Sequence, residues 1–77
     1  MNYKNNNTIH TIRINYTSFY EEYTAKEIRD IDALAYNLKG IMYKTPGQNI
    51  CRFSMMNGNE VVLNMSNVCS IEFIVNE

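Results

Sequence analysis

The sequence predicts an α+β domain, with one amphipathic helix packed on a small antiparallel sheet in the order β-α-β-β-β-β. Three observations carry that expectation. Residues 50–75 form three short apolar-rich runs parted by Asn57-Gly58 and Ser66-Asn67, the pattern of an antiparallel meander. Residues 8–16 alternate apolar and polar side chains, as a half-buried strand does. Ile28, Ile31, Leu34, Ala35 and Leu38 recur at helical spacing and mark one apolar stripe.

Residues 1–7 are polar and turn-prone, a flexible N-terminal arm ahead of a single domain at 8–77. The first strand sets His10, Ile12, Ile14 and Tyr16 against Thr11, Arg13 and Asn15. His10, at its start, reads as an edge residue rather than a ligand or base. Two capping boxes compete for the start of the helix, Ser18 with Glu21 and Thr24 with Glu27. The second is stronger, because Tyr23 and Ile28 flank it as a hydrophobic staple. The helix then spans about residues 25–39, with Lys39 at the negative end of its dipole and Gly40 in the left-handed position that ends it. Residues 41–44 read as a short strand. Thr45-Pro46-Gly47-Gln48 reads as a type II turn, with Pro second and Gly third.

The first hairpin of the meander sets its own register. A two-residue loop at Asn57-Gly58 would place Phe53 opposite Val62 and Cys51 opposite Asn64, mixing apolar with polar. A three-residue loop, Met56-Asn57-Gly58, places Phe53 opposite Val61 and Cys51 opposite Leu63, with Gly58 in the left-handed position. A slip by one residue would turn an apolar set toward water, so the longer loop is expected. The third run sets Cys69, Ile71, Phe73 and Val75 inward and Ser70 and Glu72 outward.

A chain of 77 residues is one domain near the size at which a single core is marginal. Hydrophobic residues make up 45%, enough for a small core; net charge is −1 and charged residues are 19%, which supplies no general pull on nucleic acid or anionic membrane. No apolar run is long enough to span a membrane, and the N-terminus lacks the apolar core of a signal peptide, so a cytoplasmic location is expected. The Asn-x-Ser/Thr triplets at Asn6, Asn15 and Asn64 then carry no glycan. Cys51 and Cys69, both on inward positions, read as buried free thiols in a reducing compartment. No catalytic, metal-binding or phosphate-binding motif is present, and neither enzymatic activity nor a cofactor is expected.

The residues that stand out are tyrosines. All six, Tyr3, Tyr16, Tyr20, Tyr23, Tyr36 and Tyr43, precede Lys44. Tyrosine favours sites where one end is apolar and the other wet, which describes both the rim of a small core and an interface. Carboxylates concentrate nearby at Glu21, Glu22, Glu27, Asp30 and Asp32, a solvated helix face or an acidic surface for a basic partner. Tyr16, Tyr20, Tyr23, Glu21, Glu22, Tyr36 and Tyr43 are therefore the candidate partner-binding residues. A competing surface for nucleic acid would need Arg13, Lys44 and Arg52 to converge beside Tyr43 on the wet face of the sheet. Ile74, on the outer face of the last strand, and that strand's open edge suggest a homodimer. The alternative is a monomer whose first strand pairs with the last.

The Asn5-Asn6-Asn7 run, the tyrosines and the stretch Phe53-Ser-Met-Met-Asn-Gly-Asn-Glu-Val-Val-Leu63 give the chain a family likeness. It resembles the tiny, Asn- and Tyr-rich single-domain proteins encoded by phages and mobile elements of AT-rich bacteria. The resemblance implies a stoichiometric binder of a host protein, of the anti-CRISPR, host-defence-inhibitor kind. A small nucleic-acid-binding protein and a structural subunit of a larger assembly are the alternatives.

Overall fold

The computed structural model describes residues 8–44 and 49–75, the side chains of Tyr43 and Lys44 excepted. The N-terminal arm at 1–7 and the turn at 45–48 lie outside the described residues. The elements run β1 (Ile9–Asn15), β2 (Tyr20–Thr24), α1 (Ile31–Lys44), β3 (Ile50–Ser54), β4 (Glu60–Asn64), a 3-10 turn (Met65–Asn67) and β5 (Ser70–Val75). A three-stranded antiparallel sheet has the order β2-β1-β5, and β3 and β4 form a separate two-stranded sheet. The α+β class holds. The order is β-β-α-β-β-β, with a strand ahead of the helix that the sequence reading lacked and helix where it set a strand at 41–44.

The β3–β4 hairpin has the expected register, with Cys51 opposite Leu63, Phe53 opposite Val61 and Ser54 opposite Glu60. Met55 N–H donates to the Asn59 carbonyl at 2.8 Å and closes the three-residue loop. Within the loop, Gly58 takes φ +94°, the conformation that favours glycine there. Asn59 N–H donates to Asn57 Oδ1 at 2.9 Å, which pins the turn.

Residues 20–24 correct the helix start. Tyr20, Glu22 and Thr24 face one way and Glu21 and Tyr23 the other, and their backbone pairs with β1, Asn15 opposite Tyr20 through Thr11 opposite Thr24. Tyr and Thr suit a pleated, half-buried surface. Only half of the expected Thr24 box forms, and without a helix: Thr24 N–H donates to Glu27 Oε1 at 3.0 Å, but Glu27 N–H donates to the Thr24 backbone carbonyl at 3.0 Å rather than to its hydroxyl. These bonds close a turn. Met56 N–H then donates to the Glu27 carbonyl at 2.7 Å and Arg29 N–H to the Ser54 carbonyl at 3.2 Å, around a bridge between Ile28 and Met55. This segment stitches the end of β2 to the end of β3. The helix begins one step later on Asp30, whose Oδ1 accepts from Ala33 N–H at 3.1 Å. It runs through Gly40, which lacks positive φ and is not its stop.

The core fills between the inner face of the three-stranded sheet, the helix and the β3–β4 hairpin. Ile12, Ile14 and Leu38 are fully buried, and Ile28, Ile31, Leu34, Ala35, Cys51, Leu63 and Met65 surround them. Ile31, Leu34, Ala35 and Leu38 form the buried stripe of the helix, whereas Ile28, expected on it, is buried from the bridge segment ahead of the helix. Phe53 is half-buried against this core, and Arg52 and Glu72 are exposed.

The meander breaks after β4. Asn64 Oδ1 accepts from Ser66 N–H at 3.0 Å and caps the 3-10 turn, Met65 plugs the core, and Cys69 N–H donates to the Asn15 carbonyl at 2.8 Å. The chain is thereby delivered to β1, and β5 pairs there rather than with β4. Ile71 and Phe73 face inward and are half-buried, but Cys69 and Val75 are exposed. Cys69 sits in the connection ahead of the strand, and a register shift between Ile9 and Thr11 disturbs the ladder at Val75. Both cysteines are free, with Cys51 alone buried.

Candidate functional site

The tight turn that joins β1 to β2 stands across from β4 and the 3-10 turn, and a cleft of about 670 Å³ lies between them. Tyr16 N–H donates to the Phe19 carbonyl at 2.8 Å, which folds Thr17 and Ser18 into the turn and brings two rings together. Tyr16 and Phe19 stack with centroids 4.6 Å apart, and Phe19 is 59% exposed. On the inner face of β2, Tyr23 meets Phe53 edge-on at 5.1 Å, which fixes its ring over the β3–β4 sheet. The opposite wall is β4, where Val61, Val62, Leu63 and Asn64 all border the cleft, and Cys69 also lines it.

Glu21 organises the polar part of this site. Tyr16 Oη donates to Glu21 Oε1 at 3.0 Å and Tyr23 Oη donates to the same oxygen at 3.2 Å. Burial pushes each phenol up to about 12, and the adjacent Glu21 carboxylate adds to the effect. Both therefore remain protonated donors at neutral pH. Among the described residues that line the cleft, Glu21 is the one that carries a charge. The surface combines exposed aromatic and aliphatic area with one anchored carboxylate.

Strand alternation divides the other candidate residues. Tyr20 and Glu22 point to the outer face of the three-stranded sheet. There Arg13 pairs with Glu22 at 2.7 Å and Glu72 at 3.3 Å, and its guanidinium lies 4.8 Å over the Tyr20 ring. Tyr36 is on the helix, 80% exposed, beside a second groove shared with Ile50 and Arg52. The side chain of Tyr43 lies outside the described residues. Tyr16, Glu21 and Tyr23 are thus brought together, apart from Tyr20 and Glu22.

The basic set does not share a sheet face. Arg13 is on β1 of one sheet, Arg52 on β3 of the other, and Lys44 at the end of the helix with its side chain outside the described residues. The two carboxylates beside Arg13 more than offset its charge. His10 is an exposed strand-start residue, with Nδ1 2.7 Å from Thr11 Oγ1. Among the described residues no cluster of His, Cys, Asp or Glu has metal-site geometry, and no helix is long and apolar enough to cross a membrane.

Sequence reasoning missed Phe19, Val62, Asn64 and Cys69 as parts of this cleft. The available signal was Phe19-Tyr20, a pair of large rings beside the turn-forming Thr17-Ser18, which a strand-turn-strand reading would have left exposed. No protein-family model, curated protein or solved structure matches the chain.

Proposed function

We propose that this chain is a non-enzymatic protein-binding module whose binding face is the cleft between the β1–β2 turn and β4. The observation that carries this reading is the exposed Tyr16–Phe19 stack, set across from an aliphatic strand and above a tyrosine-anchored carboxylate. Rigid aromatic rings in a concave, water-accessible position suit a protein partner, because they bury large area at small conformational cost. The partner class follows from the resemblance described above: a bacterial host-defence protein in the cytoplasm, bound stoichiometrically and inhibited, in the manner of anti-CRISPR proteins.

A photo-cross-linking residue at Phe19 tests this in a bacterial host lysate, with the same residue at Tyr36 as the control. One specific protein adduct at Phe19 and none at Tyr36 is the expected result. Absence of any adduct, or a turnover activity intrinsic to the purified chain, would count against the reading. Oligonucleotide binding that weakens steeply with salt would favour a nucleic-acid function instead. β1 pairs with one edge of β5, as the monomer alternative requires, and among the described residues the other edge is unpaired, with Val75 41% exposed. A symmetric homodimer through that edge predicts a dimer mass by light scattering, lost in Ile74→Lys; a monomer mass across the dilution series would remove it.

A further inference from the structure

The geometry points to strand addition: we propose that the cleft receives an extended segment of the partner protein as a new strand on the open edge of β4, with a lysine or arginine of that segment seated on Glu21. This rests on the protein-binding reading and specifies how the same cleft is used.

Backbone parity along β4 is the first argument. Met55 N–H donates to the Asn59 carbonyl at 2.8 Å, and Met65 N–H donates to the Asn49 carbonyl at 2.6 Å. In an antiparallel ladder, hydrogen-bonded pairs alternate with non-bonded ones. With Phe53 opposite Val61 and Cys51 opposite Leu63, residues 59, 61, 63 and 65 direct their amides and carbonyls toward β3. Glu60, Val62 and Asn64 direct theirs away from it, and among the described residues no other strand pairs with β4. The outer edge of β3, by contrast, is engaged near Ser54 by Arg29.

The second argument is the lining. A strand seen face-on presents every other residue, whereas Val61, Val62, Leu63 and Asn64 all border the cleft. The cleft therefore runs along the edge of β4. Within Glu60–Asn64 that edge carries no proline, lysine or bulge, and its one charged residue, Glu60, stands at the strand's start.

The third argument is charge. Both phenols donate to Glu21 Oε1, and Oε2 accepts no bond from the described residues. A single carboxylate among apolar and neutral walls complements a single cation through a charge-assisted bond. Strand addition supplies affinity through main-chain bonds and specificity through alternate side chains. The segment expected is apolar at alternate positions, with one Lys or Arg.

Selection of a displayed random-peptide library against the full chain tests this. Enriched peptides are expected to alternate apolar residues around one Lys or Arg, and to lose about tenfold or more in affinity for Glu21→Gln. Val62→Pro removes an edge N–H while sparing the β3–β4 ladder, and its melt reports whether the fold survives. Independently of that variant, N-methylating alternate amides of a selected peptide should weaken binding several-fold per site, and methylating the intervening amides should not. Peptides with a central proline or helical apolar spacing, binding indifferent to Glu21→Gln and to N-methylation, or no enrichment at all would overturn strand addition. An adduct at Phe19 in lysate alongside any of those results would leave the protein-binding reading standing; no adduct would remove both.

Discussion

Replacing Gly40 with alanine should stabilise the protein. Gly40 lies inside α1, with Ile41–Lys44 continuing the helix beyond it, and a Cβ built there meets nothing within 4 Å. Alanine in a helix interior is favoured over glycine by about 0.5–1 kcal/mol, chiefly because the unfolded chain has less freedom to lose. Unfolding entropy near 2.1 cal/mol/K per residue comes to about 0.16 kcal/mol/K for this length, so Tm should rise by about 3–6 °C. The same substitution at Gly58 should act in the opposite direction. Its Cβ also meets nothing within 4 Å, but its φ is +94°, and the left-handed conformation costs an L residue about 1–2 kcal/mol. Thermal melts followed by circular dichroism at the helix band give both values. A fall in Tm for Gly40→Ala would mean that Gly40 is a left-handed helix stop after all, and the reasoning that extends α1 to Lys44 would be refuted.

The helix cap is separable in the same way: Asp30→Ala should cost roughly 1 kcal/mol, and Thr24→Ala should cost less, because the Thr24 backbone makes the turn's two shorter bonds; urea titrations compare them. Leu63→Ala should cost about 2–5 kcal/mol, and Phe53→Ala less than the roughly 3–5 kcal/mol of a fully buried ring, with the order reversed if Phe53 is the better packed. Burial, with Glu21 beside them, pushes the Tyr16 and Tyr23 phenols up from 10.0 to about 12 in the folded protein, so the unfolded state releases their protons first. Stability from these groups is intact below pH 10 and is lost as pH rises from about 10 to 12; ultraviolet titration should show two late phenols, shifted back only in part by Glu21→Gln because burial is the larger cause. A thiol reagent should modify exposed Cys69 rapidly and buried Cys51 at the rate of opening, burial having also raised the Cys51 pKa; equal rates would contradict the burial of Cys51.

What could be read from sequence was local. The β3–β4 register followed from matching Phe53 to Val61 and Cys51 to Leu63 across a glycine that needs positive φ, all within one hairpin. The helix stripe from Ile31 to Leu38 was legible for the same reason. Errors arose where one local signal serves two structures. Glu27 can reach back to the Thr24 N–H from a turn as well as from a helix start, and here the Thr24 carbonyl takes the Glu27 N–H, so the pair did not fix which would follow. Gly40 is a frequent helix stop, but tertiary burial of Leu38 and packing of Ile41 carry the helix through it. Ser66-Asn67 marks a reversal without saying whether the chain returns to the strand it left. The candidate site was half legible: tyrosines and carboxylates near residues 16–23 were singled out, but their division between two faces depends on β2 being a strand. The cleft's other wall comes from β4, about forty residues away in the chain, and no local pattern could join them.

The pairing of β1 with β5 has a consequence for how the molecule is made. Arg13 and Glu72 touch across that ladder although 59 positions separate them in the chain. Hairpins such as β1–β2 and β3–β4 close quickly, whereas long-range strand pairing must first overcome the entropy of a large loop. During translation, the edge of β1 that β5 will cover stays open until residues near Val75 emerge from the ribosome, with Ile12 and Ile14 incompletely covered beside it. Synthesis is then an interval in which β1 is exposed to mispairing, and a pause in translation before Ser70 would lengthen it.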